Sequence, residues 1–334
     1  MVLLWVLVFI ISLIVLVKGA DWLLGSAEKI GLAAGLSPFI IGVTIVGIGT
    51  SFPEMISSLL ATFRGAGELV AANAVGSNIA NILLIIGISA IVGRKLIVTK
   101  SLIDLDLPLL AISTGLVWFV LSDRVVEWPE ALLLVLAYGV YFGYTLFFKD
   151  DSPDDSQTNV LPGRDTRRHQ HSMTSQVTAK KVKRPRLQVS DFGWLALGLV
   201  GLYFGAQYMI ESVVQLSVLW GIGADAITLF AVAVGTSLPE LLVSVKAAMN
   251  NKSEVAIGNI LGSNVFNLLG VIAVPAFFAT LPVDEKTYTI GLPVMIIATV
   301  FFVISGISRR IHIWEGAMYV IFYVLFILKL FGIL

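Results

Sequence analysis

Cysteine is absent from this 334-residue chain, which excludes disulfides, iron–sulfur clusters and thiolate metal sites. Charge is scarce. Only 13% of the residues are Asp, Glu, Lys or Arg, against about 25% in a soluble domain. Histidine is nearly missing too. His169 and His171 fall in a polar stretch and His312 at a helix end, so no imidazole metal centre is expected. No alternating pattern recurs over segments of about ten residues, which argues against a β-barrel.

What the chain has instead is apolar residues, 57% of the total. They gather in runs of roughly 20, long enough for helices to cross a bilayer. The expected fold class is therefore an all-α integral membrane protein with ten transmembrane helices. The spans are read at 2–23, 37–62, 69–92, 102–121, 127–148, 191–215, 225–249, 254–279, 288–307 and 312–333. The first, opening Met1-Val2-Leu3-Leu4-Trp5, has no basic leader and no cleavage site before Lys18, so it reads as a span and not a signal.

One long polar stretch, 150–190, interrupts this pattern. It begins with Asp150 and Asp151 and turns basic from Arg164 to Arg186. Its apolar content is too low to build a core, so it reads as a disordered linker between halves 1–149 and 191–334. Placing the linker in the cytoplasm and alternating sides puts 18 of the 22 Lys and Arg residues inside, leaving Arg64, Arg124, Lys286 and Lys329 outside. This asymmetry predicts both termini outside. Five spans per half is an odd number, so two homologous halves must insert in opposite orientations.

The halves are visibly related. Slid by 186 positions, the distance from Glu54 to Glu240, Gly49-Thr50-Ser51 falls on Gly235-Thr236-Ser237 and Pro53-Glu54 on Pro239-Glu240. Ser58 meets Ser244 and Asn73 meets Asn259. Gly76-Ser77-Asn78 meets Gly262-Ser263-Asn264, and Asn81 meets Asn267. The identities concentrate at polar and glycine positions inside apolar runs.

Each copy places a glutamate at membrane depth, where an ionisable group is costly and marks function. Proline lacks an N–H, so Pro53 frees the carbonyl of Gly49 and Pro239 that of Gly235. The glycines ease local unwinding, and spans two and seven are expected to be broken here. Thr50 and Glu54 share a helical face. In the following span, Asn73, Ser77 and Asn81 form a stripe that Asn259, Ser263 and Asn267 repeat. Asn73 and Asn259 read mainly as helix–helix hydrogen bonders, and Ser77, Asn81, Ser263 and Asn267 as site residues. Asp104 and Asp106 read as helix caps. An oxygen-only set of two carboxylates, hydroxyls, amides and carbonyls suits hard cations such as Ca²⁺ and Na⁺. One Ca²⁺ neutralises two glutamates, and so do a few Na⁺. Shared ligands make the ions compete, which is the simplest chemistry of exchange.

Gly49-Thr50-Ser51-Phe52-Pro53-Glu54 with Gly76-Ser77-Asn78-Ile79-Ala80-Asn81, and their counterparts from Gly235 and Gly258, resemble the two α-repeats of the cation/Ca²⁺ antiporter superfamily. The chain is most similar to its prokaryotic Na⁺/Ca²⁺ exchangers. The resemblance implies a ten-helix inverted repeat in a cytoplasmic membrane, exchanging Na⁺ for Ca²⁺ by alternating access with spans one and six sliding. It implies a Ca²⁺ site of Glu54, Glu240, Thr50 and Thr236. One Na⁺ site would join Glu54, Thr236, Ser263, Ser237 and the carbonyl of Ala233. Another would join Glu240, Thr50, Ser77, Ser51 and the carbonyl of Gly47, with Asn81 and Asn267 flanking the centre. Gly47 stands where Ala is common. Asn267 stands where K⁺-dependent members carry Asp, which argues against K⁺ co-transport. The linker is too short for the Ca²⁺-binding regulatory domains of animal exchangers.

The chain is expected to act as a monomer in the lipid bilayer, with Ca²⁺ and Na⁺ as its ligands and with no cofactor or nucleic acid. H⁺/Ca²⁺ antiport is the alternative, the same glutamates then taking protons. A channel is disfavoured by a site built within one chain. No HExxH motif or catalytic pair at membrane depth suggests an enzyme.

Overall fold

The computed structural model describes residues 2–97, 106–147, 185–219 and 237–334. Helix α1 is Val2–Ala34, α2 is Pro38–Phe63 and α3 is Glu68–Val92. A shorter α4 covers Leu107–Asp123, and α5 covers Trp128–Phe147. Then come α6 at Val189–Leu219 and α7 at Leu238–Met249. The last three are α8 at Ser253–Ala276, α9 at Thr287–Ile307 and α10 at Ile313–Leu330. Among the described residues, eight helices are long and apolar enough to cross a membrane. This is a multi-pass helical membrane protein. The start of the expected fourth span with Asp104, the stretch 225–236 of the seventh, and 150–184 of the linker lie outside the described residues.

Helix α1 runs past the expected end of its span, reaching Ala34 instead of residue 23. The charges that suggested an earlier end are paired on the helix surface. Asp21 meets Lys246 at 2.5 Å, Lys29 meets Asp191 at 2.7 Å, and Glu28 meets Lys252. Gly35 then ends the helix with φ +86°, a left-handed conformation that glycine adopts at no steric cost. Ser37 starts α2 by accepting the Ile40 N–H, with Pro38 in the first turn.

Helix α2 is irregular where it matters. A π-helical turn covers Gly42–Val46, and Ser51 leaves helical geometry at φ −88°, ψ 3°, two residues before Pro53. Further π-helical turns cover Ala80–Ile85 in α3 and Asn267–Val271 in α8. Such turns widen the helix and often accompany functional sites.

Helix α8 is enclosed along its whole apolar window, whereas α1, α5 and α10 expose most of theirs. Enclosure brings α8 against the backbone of α2. A Cβ on Gly262 would meet the Val43 carbonyl and lie 2.7 Å from the Val43 Cα. One on Gly258 would lie 2.5 Å from the Phe39 carbonyl oxygen. Small residues drive such close contacts in lipid, where no hydrophobic force separates helix from solvent. Helices α1 and α6 pack along one another in the same manner through Gly19, Gly198 and Gly205.

Two short antiparallel ribbons tie the helix ends. Strand β1 (Lys95–Ile97) pairs with β4 (Arg310–His312), and β2 (Val125–Val126) pairs with β3 (Leu281–Pro282).

Candidate cation-binding site

Helices α2, α3, α7 and α8 bring polar side chains into a core that is otherwise apolar. Glu54, in the first turn after Ser51, and Glu240, in the first turn of α7, are each 1% exposed. The two acids belong to one polar cluster, since Ser51, three residues before Glu54, reaches Glu240. Ser51 Oγ donates to Glu240 Oε1 at 3.2 Å, so one half of the chain reaches the acid of the other. Both oxygens of Glu54 and Oε2 of Glu240 have no hydrogen-bond partner among the described residues. A buried ionised carboxylate left uncompensated costs several kcal/mol, on the order of the penalty for burying an ion. These oxygens therefore call for a cation or a proton.

A second cluster adjoins the acids. Thr50 Oγ1 donates to Asn259 Oδ1 at 3.1 Å and lies 3.4 Å from Ser263 Oγ. Ser263 Oγ donates to the Gly47 carbonyl at 3.1 Å. The π-helical turn and the glycine seam produce this arrangement, since only a side-chain-free α8 surface can bring Ser263 to that carbonyl. Asn259 Nδ2 in turn donates to Ser244 Oγ at 2.8 Å. The same bond occurs 186 positions earlier, from Asn73 Nδ2 to Ser58 Oγ at 3.2 Å. The helix–helix role expected of both asparagines is thus present. Asn259 does more, because it also fixes the hydroxyl of Thr50.

The amides Asn81 and Asn267 are fully buried, and none of their side-chain polar atoms has a partner among the described residues. Asn81 lies within one π-helical turn and Asn267 begins another. Asn264 is in the same condition, and so is Oδ1 of Asn78. Neither asparagine is marked as a site residue by its own spacing, although the repeat pairs Asn78 with Asn264. Ser77 and Ser237 line a common cavity of about 380 Å³, which runs past Val75, Gly76 and Tyr323 to Glu68, Asp284 and Thr287. Thr236 and Ala233 lie outside the described residues.

Among the described residues no group of three or more His, Asp or Glu side chains could hold a metal. The negative charge of the cluster therefore comes from two glutamates, and its remaining donors are neutral oxygens. Such a set matches hard, labile cations and not transition metals.

A multi-pass helical protein that buries one acid from each half in a single polar cluster defines the class of membrane cation carriers. The family model described as "Sodium/calcium exchanger protein" matches residues 4–147 and 190–332. The chain belongs to that family. The sodium/calcium exchanger MaX1 of Methanosarcina acetivorans is 32% identical, with 98% of each chain covered. The membrane protein MJ0091 of Methanocaldococcus jannaschii is 28% identical over 96% of each. A solved structure of the sodium-calcium exchanger NCX_Mj, soaked with zero Na⁺ and Ca²⁺, superposes with a TM-score of 0.79. It is 28% identical and covers 99% of this chain and 100% of its own.

Proposed function

We propose that this chain is a secondary antiporter that exchanges Na⁺ for Ca²⁺ across a cytoplasmic membrane by alternating access. The observation that carries the reading is the Glu54–Glu240 pair. It is two buried acids, one from each half, with orphaned oxygens and hydroxyls beside them. Membership of the sodium/calcium exchanger family supports the same ions. Ca²⁺ is held by Glu54, Glu240, Thr50 and Thr236. Na⁺ uses the same acids with Ser51, Ser77, Ser237, Ser263 and the carbonyls of Gly47 and Ala233. Asn81 and Asn267 complete the centre. Ions that share two carboxylates cannot occupy the site together, and that exclusion couples their fluxes.

The reading extends to architecture. Ten spans form two inverted five-helix halves, 1–149 and 191–334, joined by a cytoplasmic linker, with both termini outside. The chain works as a monomer within the bilayer and needs no cofactor or nucleic acid. It is a transporter and not an enzyme. The break at Ser51 makes backbone carbonyls of α2 available to the ions. The cavity that reaches Ser77 and Ser237 is their route from the outer face.

Proton exchange for Ca²⁺ is the second reading. The orphaned oxygens of Glu54 would accept protons as readily as Na⁺. Purified protein in liposomes separates the two. Ca²⁺ uptake is expected when the vesicles are loaded with Na⁺, and not with K⁺ or under a pH gradient. Uptake driven by the pH gradient alone would replace the first reading with the second.

A further inference from the structure

The two ribbons meet their charges differently. Beside β2–β3, Arg124 bonds Glu285 at 2.5 Å and lies 4.5 Å over the ring of Tyr288. Around β1–β4, Arg94, Lys95, Arg309 and Arg310 are all exposed. None of the four makes a side-chain ion pair or hydrogen bond with a described residue. Register places Lys95 opposite His312 and Ile97 opposite Arg310, while Leu96 and Ile311 between them are buried. Lys95, Arg310 and His312 therefore share the outward face. Arg94 and Arg309 precede the strands at φ +64° and +59°. Glycine is the residue that costs least at such positions, so the arginines are there for their side chains.

Strand β4 runs directly into α10, whose first turn holds Trp314, 81% exposed. Here α9 and α10 enclose an apolar groove of about 340 Å³ lined by Phe301, Ile304, Trp314, Met318 and Tyr319. Its polar atoms are engaged within the protein. Tyr319 donates to Ser305 at 2.7 Å, and Glu315 accepts the His312 N–H at 2.7 Å. Among the described residues Glu315 offsets one of the four positive charges and leaves an excess of three.

Basic side chains that only set topology need no groove. Cations with no partner among the described residues, beside an apolar slot with an indole at its boundary, match a phosphodiester, an acyl chain and the headgroup level between them. We infer that the β1–β4 ribbon and the α9–α10 groove bind an anionic phospholipid from the leaflet on that side.

Native mass spectrometry of the full chain in nonionic detergent, titrated with phosphatidylglycerol or phosphatidylcholine, tests the site. Phosphatidylglycerol is expected to stay bound and raise the melting temperature, and phosphatidylcholine is not. Replacing Lys95, Arg309 and Arg310 together by Gln should weaken retention on the order of 100-fold. Arg309→Gln or Arg310→Gln alone should weaken it about fivefold, which keeps the test valid if the triple variant does not fold. Trp314→Ala should also weaken it, and Arg124→Gln should leave it unchanged. Inorganic phosphate should neither raise the melting temperature nor displace the lipid. Equal retention of both lipids, undiminished binding in the arginine variants, or the same stabilisation by phosphate alone would overturn the assignment.

Discussion

Gly262→Ala tests whether the glycine seam builds the site. The added methyl would meet the Val43 carbonyl and lie 2.7 Å from its Cα, whereas ordinary contact begins at 3.4 Å. Helices α2 and α8 must therefore part by at least about 0.7 Å, and further at the carbonyl, because rigid backbone on both sides leaves nothing softer to move. The Ser263–Gly47 and Thr50–Ser263 contacts span the same seam at 3.1 and 3.4 Å. Parting would stretch them to at least about 3.8 and 4.1 Å, beyond hydrogen-bonding range. Overpacking of this kind costs about 1–3 kcal/mol of stability. Displacing the Thr50 hydroxyl, at about 1 kcal/mol, lowers Ca²⁺ affinity about fivefold, and displacing that of Ser263 lowers Na⁺ affinity by a similar factor. Calorimetric Ca²⁺ titration of the purified protein measures the second effect and thermal melting the first. Gly25→Ala is the control, since Gly25 is exposed on α1 and no described atom lies within 4 Å of a Cβ there. A Gly262→Ala protein that kept native Ca²⁺ affinity and melting temperature would refute the idea that this seam positions Ser263 and Thr50.

Other outcomes follow from the same geometry. Glu54→Gln or Glu240→Gln removes one of the two charges facing Ca²⁺ and should reduce Na⁺-driven uptake in liposomes to background. Near-normal uptake in either variant would remove that residue from the site. Asn259→Ala frees the Thr50 hydroxyl and should lower Ca²⁺ affinity about fivefold, at about 1 kcal/mol for the lost hydrogen bond. Ser244→Ala, one step further away, should change it less. Saturating Ca²⁺ should raise the melting temperature of the native protein, by about 2.7 kcal/mol of stabilisation at 100 times the dissociation constant, and should leave Glu54→Gln unmoved.

Much of this was legible in the residues. Apolar runs located the helices, and the matched glutamates at 54 and 240 marked the polar centre, because an ionisable group inside a long apolar run is too costly to keep without a function. The length of α1 was not legible. Asp21, Glu28 and Lys29 look like the end of a span until Lys246, Lys252 and Asp191 arrive from remote sequence to pair with them. The π-helical turns were hidden as well. Nothing in the spacing of residues over Ala80–Ile85 or Asn267–Val271 announces an extra residue per turn. Asn259 was read as a bonder between helices, which its contact with Ser244 supports. Its second bond, to Thr50 on the other half of the chain, depends on how closely α8 approaches α2. That approach comes from Gly258 and Gly262 acting together with Gly42, and no local spacing rule reports it.

The buried glutamates also bear on coupling. An antiporter must avoid returning empty, since an empty return would turn exchange into leak. The proposed site supplies a physical reason for that restraint. With both carboxylates ionised and no cation bound, any intermediate closed from water at both ends buries two like charges in one cluster. Such a state costs several kcal/mol per ion, and each 1.4 kcal/mol slows crossing about tenfold. Bound Ca²⁺ cancels the charge and removes most of that barrier. Vesicles containing Ca²⁺ but neither Na⁺ nor a proton gradient should therefore exchange labelled Ca²⁺ across the membrane at a measurable rate. The same vesicles should show net Ca²⁺ efflux slower by about 100-fold or more. Comparable rates for the two would mean that the empty site crosses freely, and that coupling in this protein comes from something other than the Glu54–Glu240 pair.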